Sequence, residues 1–108
     1  MIVKTSVVDG TYADIFKCYR GCWVFWKVRG TFGSATVKIQ EKDWADDTYH
    51  DAERTTADAP LTNTALSVTT KVSTRFWAAS GQIFQVVVSG GTGESLIVSF
   101  DGSGITPS

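Results

Sequence analysis

The chain predicts an all-β fold, a single antiparallel β-sandwich or jelly-roll-like domain of about seven or eight short strands. Three observations predict it. Apolar and polar residues alternate with period two along several segments, turn residues recur at intervals of about ten residues, and no ten-residue window carries a helical apolar stripe. With 108 residues, 43% of them hydrophobic and 19% charged, the chain has enough apolar surface for one core and too little for two. Residues 1–100 are expected to form that domain and 101–108, a Gly/Ser/Pro tail without pattern, an extended C-terminal arm.

The elements follow in order. Ile2 to Val8 and Tyr12 to Tyr19 read as strands with soft edges. Cys22 to Arg29 is dense in β-branched and aromatic residues and ends at Gly30. Its alternation sends Val24, Trp26 and Val28 to one face and Trp23, Phe25, Lys27 and Arg29 to the other, because strand side chains repeat every second residue. Ala35 to Gln40 follows, with Ala35, Val37 and Ile39 inward, and Thr31-Phe32-Gly33-Ser34 between the two reads as a hairpin turn. The acidic stretch from Asp43 to Asp58 reads as a long loop. Asn63 to Val72 alternates again with Leu66, Val68 and Val72 inward, and Arg75 to Ala78 follows. Gln82 to Ser89 is the strongest strand, with Phe84, Val86 and Val88 on one face. Gly90-Gly91-Thr92-Gly93 then reads as a second hairpin turn into Ser95 to Phe100, where Leu96 and Val98 face the core.

Composition narrows the function. A formal net charge of −1 argues against nucleic acid as the partner, since such binders carry a basic excess. No apolar run approaches the roughly 18 residues that span a bilayer. The N-terminus lacks the charged, apolar and small-residue regions of a signal peptide, so synthesis in a cytoplasm is expected.

No catalytic constellation emerges. The one histidine, His50, stands in a polar segment without a nucleophile motif near it. Asp46 and Asp47 are adjacent and diverge on an extended chain, which does not suit paired-carboxylate chemistry. The acidic stretch offers oxygens to a hard cation but not the spacing of a calcium loop, so it reads as a solvated surface. Gly90 to Gly93 leads into a strand rather than a helix, so it reads as a turn rather than a phosphate cradle. Cys18 and Cys22, spaced C-x3-C, allow a disulfide across a tight turn or two reduced thiols packed as small apolar groups. Zinc would need four ligands, and only His50 could join them. Neither metal nor cofactor is expected.

The aromatic residues point outward. Trp23, Phe25 and Trp77, with Lys27 and Arg29, lie on faces opposite the most apolar stripe, whereas Trp26 belongs to the core and Trp44 to the loop. Large aromatics on a face that a lone domain leaves in water mark a partner surface. A protein partner and a stacked glycan both fit that composition.

The segments Gly30-Thr31-Phe32-Gly33-Ser34-Ala35-Thr36-Val37-Lys38-Ile39-Gln40 and Val86 to Val98, with its Ser89-Gly90-Gly91-Thr92-Gly93-Glu94-Ser95-Leu96 core, resemble small structural proteins of tailed-bacteriophage virions. The resemblance spans roughly residues 22–100 and departs from the pattern at Ser34, where a second glycine is common, and in the acidic stretch. It implies a capsid decoration (cement), head-fibre or tail accessory protein. Its partners would be the major capsid or other virion proteins and further copies of itself, and its location the host cytoplasm during assembly and then the virion. No catalytic residue comes with it.

Overall fold

The computed structural model describes residues 2–43, 48–55 and 63–107, all strand and turn with no helix. Its strands are β1 (Ile2–Val7), β2 (Gly10–Cys18), β3 (Cys22–Thr31), β4 (Thr36–Asp43), β5 (His50–Asp51), β6 (Glu53–Thr55), β7 (Asn63–Ala65), β8 (Ser67–Val68), β9 (Val72–Ala78), β10 (Gln82–Ser89), β11 (Ser95–Asp101) and β12 (Ile105–Pro107). One sheet runs β1-β11-β3-β9. The other runs β12-β2-β10-β4-β5, with β8 also on β4, and β6 and β7 form a separate ribbon. All pairs are antiparallel. β5 and β8 take turns along one edge of β4, so each sheet has four strand positions, with β12 added outside β2. This is a jelly-roll-like sandwich.

The two glycine turns are not hairpins. β3 pairs with β11 and β9, whereas β4 pairs with β10 in the opposite sheet. Likewise β10 and β11 lie in different sheets. Both connections are arches that carry the chain across the roughly 10 Å between packed sheets. Period-two alternation cannot distinguish the two, because an arch and a hairpin both return the apolar face to one core. Gly33, Ser34, Gly90 and Gly93 supply positive φ angles of 54°, 70°, 73° and 68° for the reversals. The arches dock on each other where Thr92 N–H donates to the Gly33 carbonyl at 2.8 Å. Beside them Glu94, buried, accepts from Asp9 N–H at 2.8 Å, and Asp9 in turn accepts from Gly91 N–H at 3.1 Å. Three of the four inter-sheet connections at this end are thereby tied together, the fourth being residues 69–71 between β8 and β9.

The core lies between the sheets as the alternation requires. Val24, Trp26, Val28, Val37, Ile39, Phe84, Val86, Val88, Leu96 and Val98 are each 3% exposed or less. An aromatic cluster joins the layers. Phe16 stacks on Phe84 at 4.7 Å within the larger sheet. Phe100 of the smaller sheet lies 4.9 Å from Phe16, and Phe76 of that sheet lies 5.9 Å from Phe84.

Two further expectations are corrected. The segment after Phe100 is not a free arm, because Ile105 to Pro107 pairs with Phe16 to Cys18 and the Gly104 carbonyl accepts from Tyr19 N–H at 2.9 Å. The edge of β2 offers unpaired backbone groups, and the tail satisfies them. Within the acidic stretch, residues 48–55 hold β5 and β6 rather than a loop, while Trp44, Asp46 and Asp47 lie outside the described residues. A backbone ring anchors this excursion. Ile39 N–H donates to Leu66, Leu66 N–H to Ala52 and Ala52 N–H to Ile39, at 2.8, 3.1 and 3.0 Å, and all three residues are buried. These short pieces and β12 are why an expectation of seven or eight strands undercounts them.

The outer face of the larger sheet is closed by side chains. Gln85 donates to Gln40, Gln40 to Asp51 at 2.8 Å, and Lys38 pairs with Asp51 at 3.2 Å. From the approach to β5, Tyr49 reaches past β4 and β10 to donate its hydroxyl to Asp14 on β2 at 2.5 Å. Desolvation and then the bonded carboxylate push the Tyr49 phenol from 10.0 up to about 12. The folded state therefore holds this proton more tightly than the unfolded chain does. Its contribution is complete below pH 10 and disappears as pH rises toward 12. Denaturation at pH 8 and at pH 11 is expected to show a loss of stability that Tyr49→Phe largely abolishes, that variant being weaker by about 1 kcal/mol at neutral pH. An unchanged pH profile in Tyr49→Phe would count against the bridge.

Candidate functional site

The outer face of the smaller sheet is different in kind. Because Val24, Trp26 and Val28 are buried, β3 turns Trp23, Phe25, Lys27 and Arg29 outward. Antiparallel register sets Trp77 of β9 opposite Trp23 and Arg75 opposite Phe25, while β11 places Asp101 on the other side of Phe25. The two indoles meet edge to face at 5.7 Å, and the Arg75 guanidinium lies 4.4 Å from the Trp23 ring centroid. Phe25 and Trp77 remain 54% and 44% exposed. Among the described residues, no second layer covers them.

These rings line an open groove of about 570 Å³ together with Cys22, Asp101 and Ser103. Two glycines keep it open at the base. A β-carbon on Gly102 would stand 2.9 Å from the Trp23 carbonyl oxygen, and one on Gly21 would stand 3.1 Å from the Trp77 ring. Cys22 and Cys18 sit below as free, buried thiols. Gly104 N–H donates to the Cys22 sulfur at 3.3 Å, and the Cys18 thiol donates to the Arg20 carbonyl at 3.1 Å. Burial pushes the Cys18 thiol up, and Cys22 adds to the shift. The 18–22 turn, the docked tail and the groove thus form one packed unit.

Three of the five outward residues named from sequence, Trp23, Phe25 and Trp77, come together in this groove, whereas Lys27 and Arg29 lie further along β3 and line a separate one. Sequence reasoning misses Arg75 and Asp101. Alternation from Trp77 places Arg75 on the same face, so its signal is present. Asp101 needs the pairing of β11 with β3, which no local pattern encodes.

His50 is exposed on β5 opposite Glu41, in a small recess with Lys42, Asp43 and Gln82. Among the described residues, no serine or cysteine lines it. Among the described residues no three or more His, Cys, Asp or Glu side chains gather as metal ligands would. No protein-family model, curated protein or solved structure matches the chain.

Proposed function

We propose that the protein is a non-catalytic structural module of a tailed-phage virion, a capsid decoration or other head-associated protein. It assembles with neighbouring subunits and with its own copies through the outer face of the smaller sheet. The observation that carries this reading is the exposure of Phe25 and Trp77 beside Trp23 on a regular sheet face. Exposed aromatics with an arginine at their side have the composition of interface hot spots. A rigid jelly roll repeated over a lattice turns modest single contacts into strong attachment. The motif resemblance supplies the virion context.

The test is Trp23→Ala combined with Phe25→Ser, followed by sedimentation and by binding to shells. The doubly changed chain should keep its circular dichroism and melt cooperatively while losing association by about 2 kcal/mol or more. If it unfolds, Phe25→Asp alone, at the more exposed position, carries the test. Undiminished association in a folded variant would refute the reading. A second reading, glycan binding, is favoured by one observation: the aromatic groove carries the Asp101 carboxylate and Ser103 beside its rings. A monomeric mass, with tryptophan fluorescence that changes saturably with oligosaccharide, would point there instead.

A further inference from the structure

Beyond Phe25, the same face of β3 changes character. A second groove, of about 360 Å³, is lined by Lys27, Val28 and Arg29 and by Lys71, Val72 and Ser73 across from them. Lys27 pairs with Ser73 and Val28 with Val72 in antiparallel register, so one step further Arg29 comes level with Lys71. Like charges directly opposite on neighbouring strands repel. The strand on the other side gives no relief, since β11 sets Ser99 beside Lys27 and Ile97 beside Arg29.

Several other cations of the fold are matched. Lys38 pairs with Asp51, Arg75 lies on Trp23, Lys42 on Tyr49, and Arg20 donates to the Ser103 carbonyl. Among the described residues no carboxylate pairs with Lys27, Arg29 or Lys71. Three uncompensated cations around one recess, in a chain whose net charge is −1, form a concentrated positive field.

We infer that this groove is an oxyanion site that takes a sulfate or phosphate group. The guanidinium of Arg29 offers a planar fork of donors, Lys27 and Lys71 offer ammonium groups, and Ser73 offers a hydroxyl, a set suited to an anion with several oxygens. The backbone of Val28 and Val72, whose side chains turn toward the core, forms the floor. The site needs only the folded monomer, so it stands or falls separately from assembly through the aromatic groove.

The test is a ¹H–¹⁵N titration of the monomer with sodium sulfate and with sodium phosphate, against sodium chloride at matched ionic strength. Saturable shifts should be confined to residues 27–29 and 71–73. Arg29→Gln and Lys71→Gln should each weaken binding by roughly tenfold or more, whereas Lys4→Gln, on β1, should leave it unchanged. In dilute chloride without oxyanion the two groove variants should melt above the parent, because they relieve the repulsion. Glucose 6-sulfate and glucose 6-phosphate identify the bearer of the group. Tighter binding than the inorganic ion means an ester on a larger molecule, and no gain means the free ion. Shifts that chloride reproduces, or full affinity in Arg29→Gln, would overturn the site.

Discussion

Phe84→Ala is expected to destabilise the domain by about 3–5 kcal/mol, the range for removing a fully buried aromatic ring. Phe84 has no exposed surface and stacks on Phe16 with ring planes 18° apart. Its second aromatic neighbour, Phe76 at 5.9 Å, belongs to the other sheet. The ring therefore joins the layers, and its loss leaves a void that rigid strands on both sides cannot close. For a domain whose whole stability is on the order of 5–15 kcal/mol, this is a large fraction. Phe84→Leu, which keeps most of the volume, should cost less than about 1.5 kcal/mol. Urea denaturation followed by tryptophan fluorescence measures both. A loss below about 1.5 kcal/mol for the alanine variant would mean that the cluster is not the joint between the sheets.

Gly33→Ala is expected to cost about 2–4 kcal/mol, well above the ordinary penalty of a methyl group at a left-handed position. A β-carbon there would lie 2.2 Å from the Thr92 carbonyl oxygen, a backbone atom of the other arch. The two arches touch at this point through the Thr92-to-Gly33 hydrogen bond, so neither can retreat without breaking it. Gly93 is the matched control. Its φ of 68° is close to the 54° of Gly33, but a β-carbon there would meet nothing within 4 Å. Gly93→Ala should therefore cost only the conformational part, about 1 kcal/mol. Equal losses at the two positions, measured by denaturation, would show that the arches are not locked together.

These two variants separate what is local in this protein from what is not. The inward set that contains Phe84 follows from alternation alone, because burial of every second side chain is a property of one strand against one core. The same reasoning places Trp23 and Phe25 outward, and it holds for Lys27 and Arg29. Gly33 shows the limit. Its turn is legible, yet the segment carries no mark of whether the next strand lies alongside or in the opposite sheet. The local pattern around Gly33 reads as a hairpin although the chain crosses the sandwich there.

The aromatic groove is legible in its parts. Trp23, Phe25 and Trp77 announce an outward surface, but the meeting of Trp23 with the distant Trp77 depends on β3 pairing with β9. Asp101 and the Arg29–Lys71 juxtaposition likewise exist only because particular strands are neighbours. Phe16, Phe76 and Phe100, absent from the expected core, sit in strands whose edges or brevity weaken their period, and tertiary packing supplies the burial.

The sequence by itself determined the strand class, the inward and outward faces of the central strands, the position of the reversals and the absence of a helical stripe. Each of these is set within a few residues by side-chain alternation, β-branching and glycine. Only the tertiary structure decided which strands pair, that β12 completes the edge of β2, and that a polar stretch supplies β5 along β4 and the ribbon strand β6. Those choices rest on backbone hydrogen bonds and ring contacts between distant residues. Every strand offers the same donors and acceptors, so the winner is settled by how the whole set of apolar faces closes on one core.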